Sequence, residues 1–134
     1  MSYHINLSID NRIGTSLTVV EKCVWEGTAG GEWSEKDGKH ILSLGYYGAG
    51  LLRFKEDNGR FFHVVVGSGE RGYWVDVQVE LSQTDTGVKL LPEYYRHGGK
   101  FSNIPSEHDV HRYTSRNISV AVEMHGIEAT LCYS

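Results

Sequence analysis

The chain has 134 residues, of which 40% are hydrophobic and 11% aromatic, enough for one hydrophobic core, and we predict a single domain spanning residues 1–134. Its 13 basic and 17 acidic side chains leave a formal net charge of -4, which lacks the positive field that phosphate backbones require, so we expect no nucleic-acid partner. The N-terminus has no basic region followed by an apolar run, and no later stretch reaches the ~18 continuous apolar residues of a membrane span, so we expect a cytoplasmic protein without stable membrane insertion.

The first half of the chain is predicted to form short strands separated by turns. Apolar residues alternate over residues 3–9, and a β-branched run at residues 16–25 ends in the glycine-rich stretch 27–31, where the chain must turn. The Asn58-Gly59 pair favours a two-residue hairpin turn. Four further strands are predicted at residues 39–44, 51–55, 60–66 and 73–81.

The strand at residues 73–81 has two different faces, because successive side chains of a strand point to opposite sides. One face is apolar. The other combines an indole, two carboxylates and an amide, and therefore suits a binding site; its members are Trp74, Asp76, Gln78 and Glu80.

The second half is predicted to begin with a helical insert. Polar residues at 82–85 supply helix caps, and Pro92 suits the first turn of a second short helix. Residues 98–111 are predicted to be an irregular loop, and alternation at 118–124 and 127–133 predicts a closing hairpin. About ten short strands with one helical insert indicate an all-β domain, either two packed sheets or one sheet closing on itself.

Candidate metal ligands are concentrated in residues 107–111, Glu-His-Asp-Val-His. The two histidines, three residues apart, could meet one cation if this loop became helical, but no third strong ligand is evident nearby. We therefore favour a solvated loop and assign no metal and no cofactor. Cys23 and Cys132 match neither a disulfide framework nor a metal knuckle, so we expect two reduced thiols.

Signatures of catalysis are weak in this sequence. Gly67-Ser68-Gly69-Glu70 resembles a nucleophile elbow, but a strand follows it instead of a helix. Two carboxylates in a groove could hydrolyse a glycoside, and Glu70 with Asp76 is the pair to test. We expect no enzyme activity and keep a glycoside hydrolase as a rival function.

The aromatic and polar residues suit a carbohydrate site. A ring covers the apolar side of a pyranose at little cost in side-chain entropy, and a carboxylate strengthens the hydrogen bonds from neighbouring hydroxyls. The same rings are also candidates for the core, where about half or more of such residues belong. They are Trp25, Trp33, Tyr46, Tyr47, Trp74 and Tyr113.

Short motifs distributed over nearly the whole chain resemble those of the fungal fruit-body lectin family, in the same order and at similar spacing. The matching segments are Met1-Ser2-Tyr3-His4-Ile5, Val20-Glu21-Lys22-Cys23-Val24-Trp25, Gly30-Gly31-Glu32-Trp33, Leu51-Leu52-Arg53-Phe54, Trp74-Val75-Asp76-Val77, Glu93-Tyr94-Tyr95 and Gly98-Gly99-Lys100. The resemblance implies a two-sheet antiparallel β-sandwich with a short helix-loop-helix connection, similar to actinoporins, assembled as an oligomer and without enzyme activity.

The resemblance also implies two sugar sites. The first, for the Thomsen-Friedenreich (T-antigen) disaccharide of galactose and N-acetylgalactosamine, falls on Thr28, Tyr46, Tyr47, Gly48 and Glu70. The family has Asn in place of Glu70, and a carboxylate accepts hydrogen bonds without donating any. The two tyrosines also depart from the family pattern.

The second site, for terminal N-acetylglucosamine, falls on Asp76, Val77, Val79, Lys100 and Tyr113. Lys100 replaces the family's Arg, which keeps the charge but loses the planar fork that holds two oxygens. Val79 replaces a Thr and removes one hydroxyl contact.

We therefore predict a lectin that binds glycans or glycoproteins of foreign cells for defence. Avidity would come from a homo-oligomer, either a tetramer or a dimer. The first rival is a membrane-binding, pore-forming protein of the actinoporin type. A pore former needs an amphipathic N-terminal helix, whereas residues 3–9 alternate as a strand.

Overall fold

The computed structural model describes residues 3–25, 31–44, 48–69, 72–99, 108–113, 116–122 and 128–134. Within these ranges the chain forms a short helix α1 (Gly87–Leu90), a 3₁₀ turn (Leu91–Tyr94) that follows it directly, and ten strands. The strands are β1 (Tyr3–Asn11), β2 (Leu17–Val24), β3 (Glu32–Lys36), β4 (Lys39–Leu44), β5 (Gly48–Glu56), β6 (Phe61–Gly69), β7 (Gly72–Leu81), β8 (His108–Tyr113), β9 (Arg116–Val122) and β10 (Glu128–Tyr133).

The described strands form two sheets. The 6-stranded sheet has the order β3-β4-β1-β10-β9-β8, and the 4-stranded sheet has the order β2-β5-β6-β7. All described pairs are antiparallel except β1 with β10, which run parallel. Of the two architectures that the sequence left open, the structure has two packed sheets, which confirms the β-sandwich.

The main core lies between the two sheets. Alternation along each strand places apolar side chains on the inner faces, where the rings of Phe54, Phe62 and Tyr133 stack in sequence with centroids 5.0 and 5.8 Å apart. The Tyr133 hydroxyl donates a 2.7 Å hydrogen bond to the buried carboxylate of Glu56, which joins the two sheets. This polar contact lies beside the stack of rings in the core.

Two predicted hairpins are confirmed. The chain turns at Asp57-Asn58-Gly59 between β5 and β6, and β9 pairs antiparallel with β10. The predicted strands before and after them also form, with boundaries that differ by a few residues.

Three features differ from the sequence prediction. The hairpin of β3 and β4 was not predicted, and residues 108–111 belong to β8, not to an irregular loop. The insert is also shorter than a helix-loop-helix, because α1 passes directly into the 3₁₀ turn. Pro92 has no N–H to donate to the Val88 carbonyl, so the α-helical pattern ends there.

Candidate functional site

The outer face of the 4-stranded sheet is covered by the segment 82–99, which contains α1 and the 3₁₀ turn. Leu91 and Tyr94 from this segment pack on Leu51 and Val65 of the sheet and form a second, smaller core. Gly87 fits tightly here, since a Cβ on it would lie 2.6 Å from Leu51 Cδ2. The segment is therefore seated closely on the sheet face.

Glu21 of β2 holds the start of this segment. Its Oε1 accepts a 2.7 Å hydrogen bond from the amide of Gly87, and its Oε2 accepts bonds from the Val88 amide and the Cys23 thiol. Burial by itself would raise the pKa of Glu21, but these three bonds outweigh it and lower that pKa. Burial and the neighbouring Glu21 raise the pKa of Cys23 to about 12, so this thiol is a protonated donor.

Five polar side chains lie buried between the sheet and the segment and form one continuous line of hydrogen bonds, which we call the donor relay. Arg53 Nη1 lies 2.8 Å from His63 Nε2, and His63 Nδ1 lies 2.6 Å from Gln78 Oε1. Gln78 Nε2 donates to the Tyr94 hydroxyl at 2.9 Å, and that hydroxyl donates to Asp76 Oδ2. All five side chains are less than 8% exposed, so the line is shielded from solvent.

The direction of the donor relay follows from the chemistry of its first member. A guanidinium only donates, so His63 Nε2 must accept and the ring proton must sit on Nδ1, where it is donated to Gln78. His63, Gln78 and Tyr94 therefore each accept a hydrogen bond from the previous group and donate one to the next. The carboxylate of Asp76 accepts the last of these hydrogen bonds. Burial, together with the charge of Arg53, lowers the pKa of His63 to about 4, so the ring is neutral at pH 7.

Arg53 also fastens the segment to the sheet. Its Nη1 donates to the carbonyl of Asp85, and its Nη2 donates to the carbonyl of Ser82 at 3.2 Å. The guanidinium carbon lies 4.1 Å from the ring centroid of Phe61, a cation-π contact. One buried cation thus anchors the donor relay and the start of the segment 82–99.

The predicted N-acetylglucosamine residues on β7 lie on different faces. Asp76 is on the outer face in the donor relay, whereas Val77 and Val79 pack against the core between the sheets. The side chains of these two valines therefore cannot contact a ligand on the outer face, and only their backbone groups could do so. Lys100 lies outside the described residues, and Tyr113 ends β8, which contacts β7 across the sandwich edge.

The predicted galactose-type residues Thr28, Tyr46, Tyr47 and Glu70 lie outside the described residues. Gly48 is described, buried at the start of β5 opposite Ser68.

The strand ends that border these loops are close together. The amide of Trp25 donates a 2.8 Å hydrogen bond to the carbonyl of Ala49, and Gly69 pairs with Gly72 at the same end of the sheet. The described strand ends that flank residues 26–30, 45–47 and 70–71 therefore lie at one end of the sheet.

The candidate aromatic residues have different roles. Trp33 packs against the main core and donates its indole N–H to the carbonyl of Cys23 at 2.8 Å. Trp74 lies across Gly67, where a Cβ would be only 2.5 Å from its ring. Trp25 stacks on Tyr95 with ring centroids 4.3 Å apart, and Tyr95 is 40% exposed.

A cavity of about 220 Å³, for which the sequence carries no signal, lies between β2 and the segment 82–99. Its walls include Trp25, Val88 and Pro92, with Lys22 among the lining residues. It is too small for a drug-sized ligand, whose pockets span about 300–1,000 Å³. The Lys22 ammonium is held 2.9 Å from Glu35 on the neighbouring sheet.

The rival chemistries gain no support from the described residues. His108 and His111 lie on a β-strand, not on the helix that a shared cation required. Asp76 accepts the hydroxyl proton of Tyr94, and its proposed hydrolytic partner Glu70 is outside the described residues. Cys23 and Cys132 are both free cysteines, as the sequence predicted.

Comparisons with known proteins point to one family. The profile of the family described as fungal fruit body lectin matches residues 1–130. The Boletus edulis lectin is 37% identical over 101 residues, which cover 73% of this chain and 71% of that protein. These findings confirm the resemblance that the motifs indicated.

Solved structures agree with this assignment. The wild-type lectin of Xerocomus chrysenteron has a TM-score of 0.90 at 28% identity, and the match covers 100% of both chains. The lipid binding protein Nakanori has a TM-score of 0.58 at 11% identity, covering 99% of this chain and 70% of its own, and shares the fold alone. The expected sandwich of the actinoporin-like kind is therefore confirmed.

Proposed function

The chain belongs to the fungal fruit body lectin family, whose members bind carbohydrate without altering it, and on that premise we propose that it recognises terminal N-acetylglucosamine through Asp76. The observation that carries the proposal is the place of this carboxylate, on the outer face of β7, which is the edge strand of its sheet. A carboxylate has about four acceptor positions, and one of those on Asp76 accepts from the Tyr94 hydroxyl. Sugar hydroxyls are donors that match such a group.

The burial of Asp76 sets a condition for this site. The residue is 2% exposed, so a sugar hydroxyl has to enter beside it and replace a neighbour. Lys100 and Tyr113 would complete the site, and the backbone of Val77 and Val79 would supply further polar groups. A hydrogen bond to a charged, shielded group contributes about 1.5–3 kcal/mol, which makes Asp76 the expected main determinant of affinity.

A second site is proposed for galactose and N-acetylgalactosamine, as in the T-antigen disaccharide. The convergence of four strand ends, those of β2, β5, β6 and β7, at one end of the sheet supports it, because the adjoining segments carry Thr28, Tyr46, Tyr47 and Glu70. Glu70 would accept hydroxyl protons, and the tyrosines would stack on a pyranose.

The biological role that we propose is defensive binding of glycans or glycoproteins on foreign cells by a cytoplasmic homo-oligomer, a tetramer or a dimer. Weak single sites become effective when several are linked, because the later binding events are intramolecular.

A membrane pore is less well supported than glycan binding. β1 pairs on one side with β4 and on the other with β10, so the N-terminal residues that a pore former inserts as a helix are fixed in a sheet. No helix in the described ranges is long and apolar enough to cross a membrane. Dye release from liposomes by the purified protein would contradict the lectin proposal.

A glycan array followed by calorimetry tests the sugar assignment. We expect wild-type protein to bind glycans that end in N-acetylglucosamine, and Asp76→Ala to lose at least about tenfold in affinity, equivalent to about 1.4 kcal/mol. Tyr47→Ala should weaken only the galactose-type ligands. Asp10→Ala is the matched control, since this carboxylate lies on the other sheet, has an exposed side chain and contacts the surface residue Arg12 and the Cys132 thiol. Undiminished binding by both Asp76→Ala and Tyr47→Ala would contradict the two assignments.

A further inference from the structure

We propose that Tyr94 is a positioning residue for the sugar-binding carboxylate of Asp76, and that the donor relay behind it fixes the direction in which the Tyr94 proton points. The inference rests on the proposed N-acetylglucosamine site. Tyr94 itself does not contact the sugar in this account.

The Tyr94 hydroxyl has one proton, for which two of its polar neighbours could compete. One neighbour is the Gln78 side chain and the other is Asp76 Oδ2. Because Gln78 presents its NH₂ group, it donates to Tyr94, and the hydroxyl proton remains for Asp76. The orientation of this amide therefore keeps the Tyr94 proton directed at Asp76 Oδ2.

The orientation of the Gln78 amide is set by His63. Its Oε1 faces His63 Nδ1 at 2.6 Å, and the His63 proton is on that nitrogen because Arg53 donates to the other one. If the Gln78 amide were flipped, its NH₂ group would face the N–H of His63, so that two donors would oppose each other in a buried layer. Unpaired buried polar groups cost about 1–3 kcal/mol each, so the reversed arrangement is disfavoured.

The hydroxyl and the ring of Tyr94 make different contacts, so positioning of Asp76 and packing can be separated. The Tyr94 ring contacts Trp74 with centroids 5.3 Å apart, and this contact depends on the ring alone. Tyr94→Phe removes the hydroxyl and keeps the ring, so the segment should stay seated while Asp76 loses the hydrogen bond from Tyr94. The two roles of the residue can therefore be measured apart.

Calorimetry with N-acetylglucosamine and with the galactose-type disaccharide provides the test. We expect Tyr94→Phe to lose about tenfold in affinity for N-acetylglucosamine and to keep its affinity for the disaccharide, whereas a purely structural role would lower both. Tyr95→Phe is the matched control, because it removes the hydroxyl of the adjacent tyrosine and leaves Asp76 untouched.

A double-mutant cycle makes the test specific. In an Asp76→Ala background, Tyr94→Phe should have no additional effect on N-acetylglucosamine affinity, because a positioning residue acts only through the group it holds. Additive losses would show that Tyr94 acts independently and would overturn the inference.

A second variant covers the case in which Tyr94→Phe does not fold. Gln78→Glu keeps the shape of the side chain and still accepts from His63, but its second oxygen now competes with Asp76 for the Tyr94 proton. We expect reduced N-acetylglucosamine affinity in the folded variant, and unchanged affinity would overturn the inference.

The outcomes also distinguish the inference from the function on which it rests. If Asp76→Ala keeps full N-acetylglucosamine affinity, the proposed site and the inference are both wrong. If Asp76→Ala loses affinity while folded Tyr94→Phe keeps it, the site stands and the inference alone is wrong.

Discussion

His63 is held as a neutral base in the middle of a buried polar layer. The charged groups that act on it are Arg53 on β5, Glu21 on β2 and Asp85 on the covering segment, and burial exceeds all of them. The result is a histidine whose pKa is lowered from 6.5 to about 4. Acid should therefore destabilise the folded protein through this residue, in addition to its effect on carboxylates such as Glu21.

The sign of that effect follows from proton uptake. Between pH 6.5 and about 4 the unfolded state binds a proton at His63 and the folded state does not, so stability rises with pH in this window. The contribution of His63 to the free energy of unfolding is complete above pH 6.5. About 3 kcal/mol of that free energy is lost as the pH falls to the pKa of His63 in the folded state. Urea unfolding at several pH values measures it, with His63→Gln as the non-titrating control. The prediction would be contradicted if the free energy of unfolding changed equally with pH in wild type and His63→Gln between pH 4 and 6.5.

The two thiols should differ in reactivity. The pKa of Cys23 is raised to about 12 by burial and by Glu21, and a thiol reacts as its thiolate. At pH 8 we expect Cys132, which is partly exposed, to be modified by a disulfide reagent while Cys23 stays intact in folded protein. The variant Cys132→Ser should then show no fast phase, and a fast phase in that variant would disprove the assignment.

The segment 82–99 is the element on which the candidate site depends, and Gly87 is its closest approach to the sheet. A methyl group there would lie 2.6 Å from Leu51 and 2.9 Å from the Cys23 sulfur. We expect Gly87→Ala to destabilise the protein by about 1–3 kcal/mol, as overpacking usually does. Chemical denaturation measures this, and Val88→Ala is the control, because Val88 is 70% exposed. A change of less than about 0.5 kcal/mol for Gly87→Ala would contradict the tight fit.

Strands with strict alternation could be predicted from the sequence, because one buried face fixes the pattern. The hairpin of β3 and β4 was missed although its signal was present. Asp37 and Gly38 have φ values of 53 and 78, as the type I′ turn of an Asp-Gly pair requires. β8 had no such signal, because its residues are mostly polar and alternation of apolar residues was the criterion.

The candidate site was predictable only in part for a physical reason. The alternation of apolar residues along 73–81 was enough to predict that Trp74, Asp76 and Gln78 share one face of the strand. The partners Arg53, His63 and Tyr94 come from two other strands and from the covering segment, and no local pattern marks a residue that acts through a tertiary hydrogen bond. Arg53 and His63 lie in strands whose apolar neighbours dominate the periodicity, so their burial on the outer face was not foreseen.

At the scale of the whole molecule, the two sheets are joined by a polar contact as well as by apolar packing. Removing the Tyr133 hydroxyl withdraws the donor that faces the buried carboxylate of Glu56. We expect Tyr133→Phe to lower the free energy of unfolding by about 1–3 kcal/mol with an unchanged denaturant dependence, because the ring stack remains. Tyr95→Phe on the outer face is the control. Equal stability of wild type and Tyr133→Phe would show that the contact contributes nothing.

The parallel pairing of β1 with β10 has a consequence for how the chain is made. Asn6 of β1 contacts Glu128 of β10, 122 positions later in the sequence. β1 is synthesised early and therefore lacks this neighbouring strand until the ribosome has completed β10. Distant pairing of this kind slows folding, and an unpaired strand edge on a nascent chain attracts other polypeptides. Folding of this sandwich is therefore expected to finish only after residues 128–133 have left the exit tunnel, with chaperones protecting the open edge in the meantime.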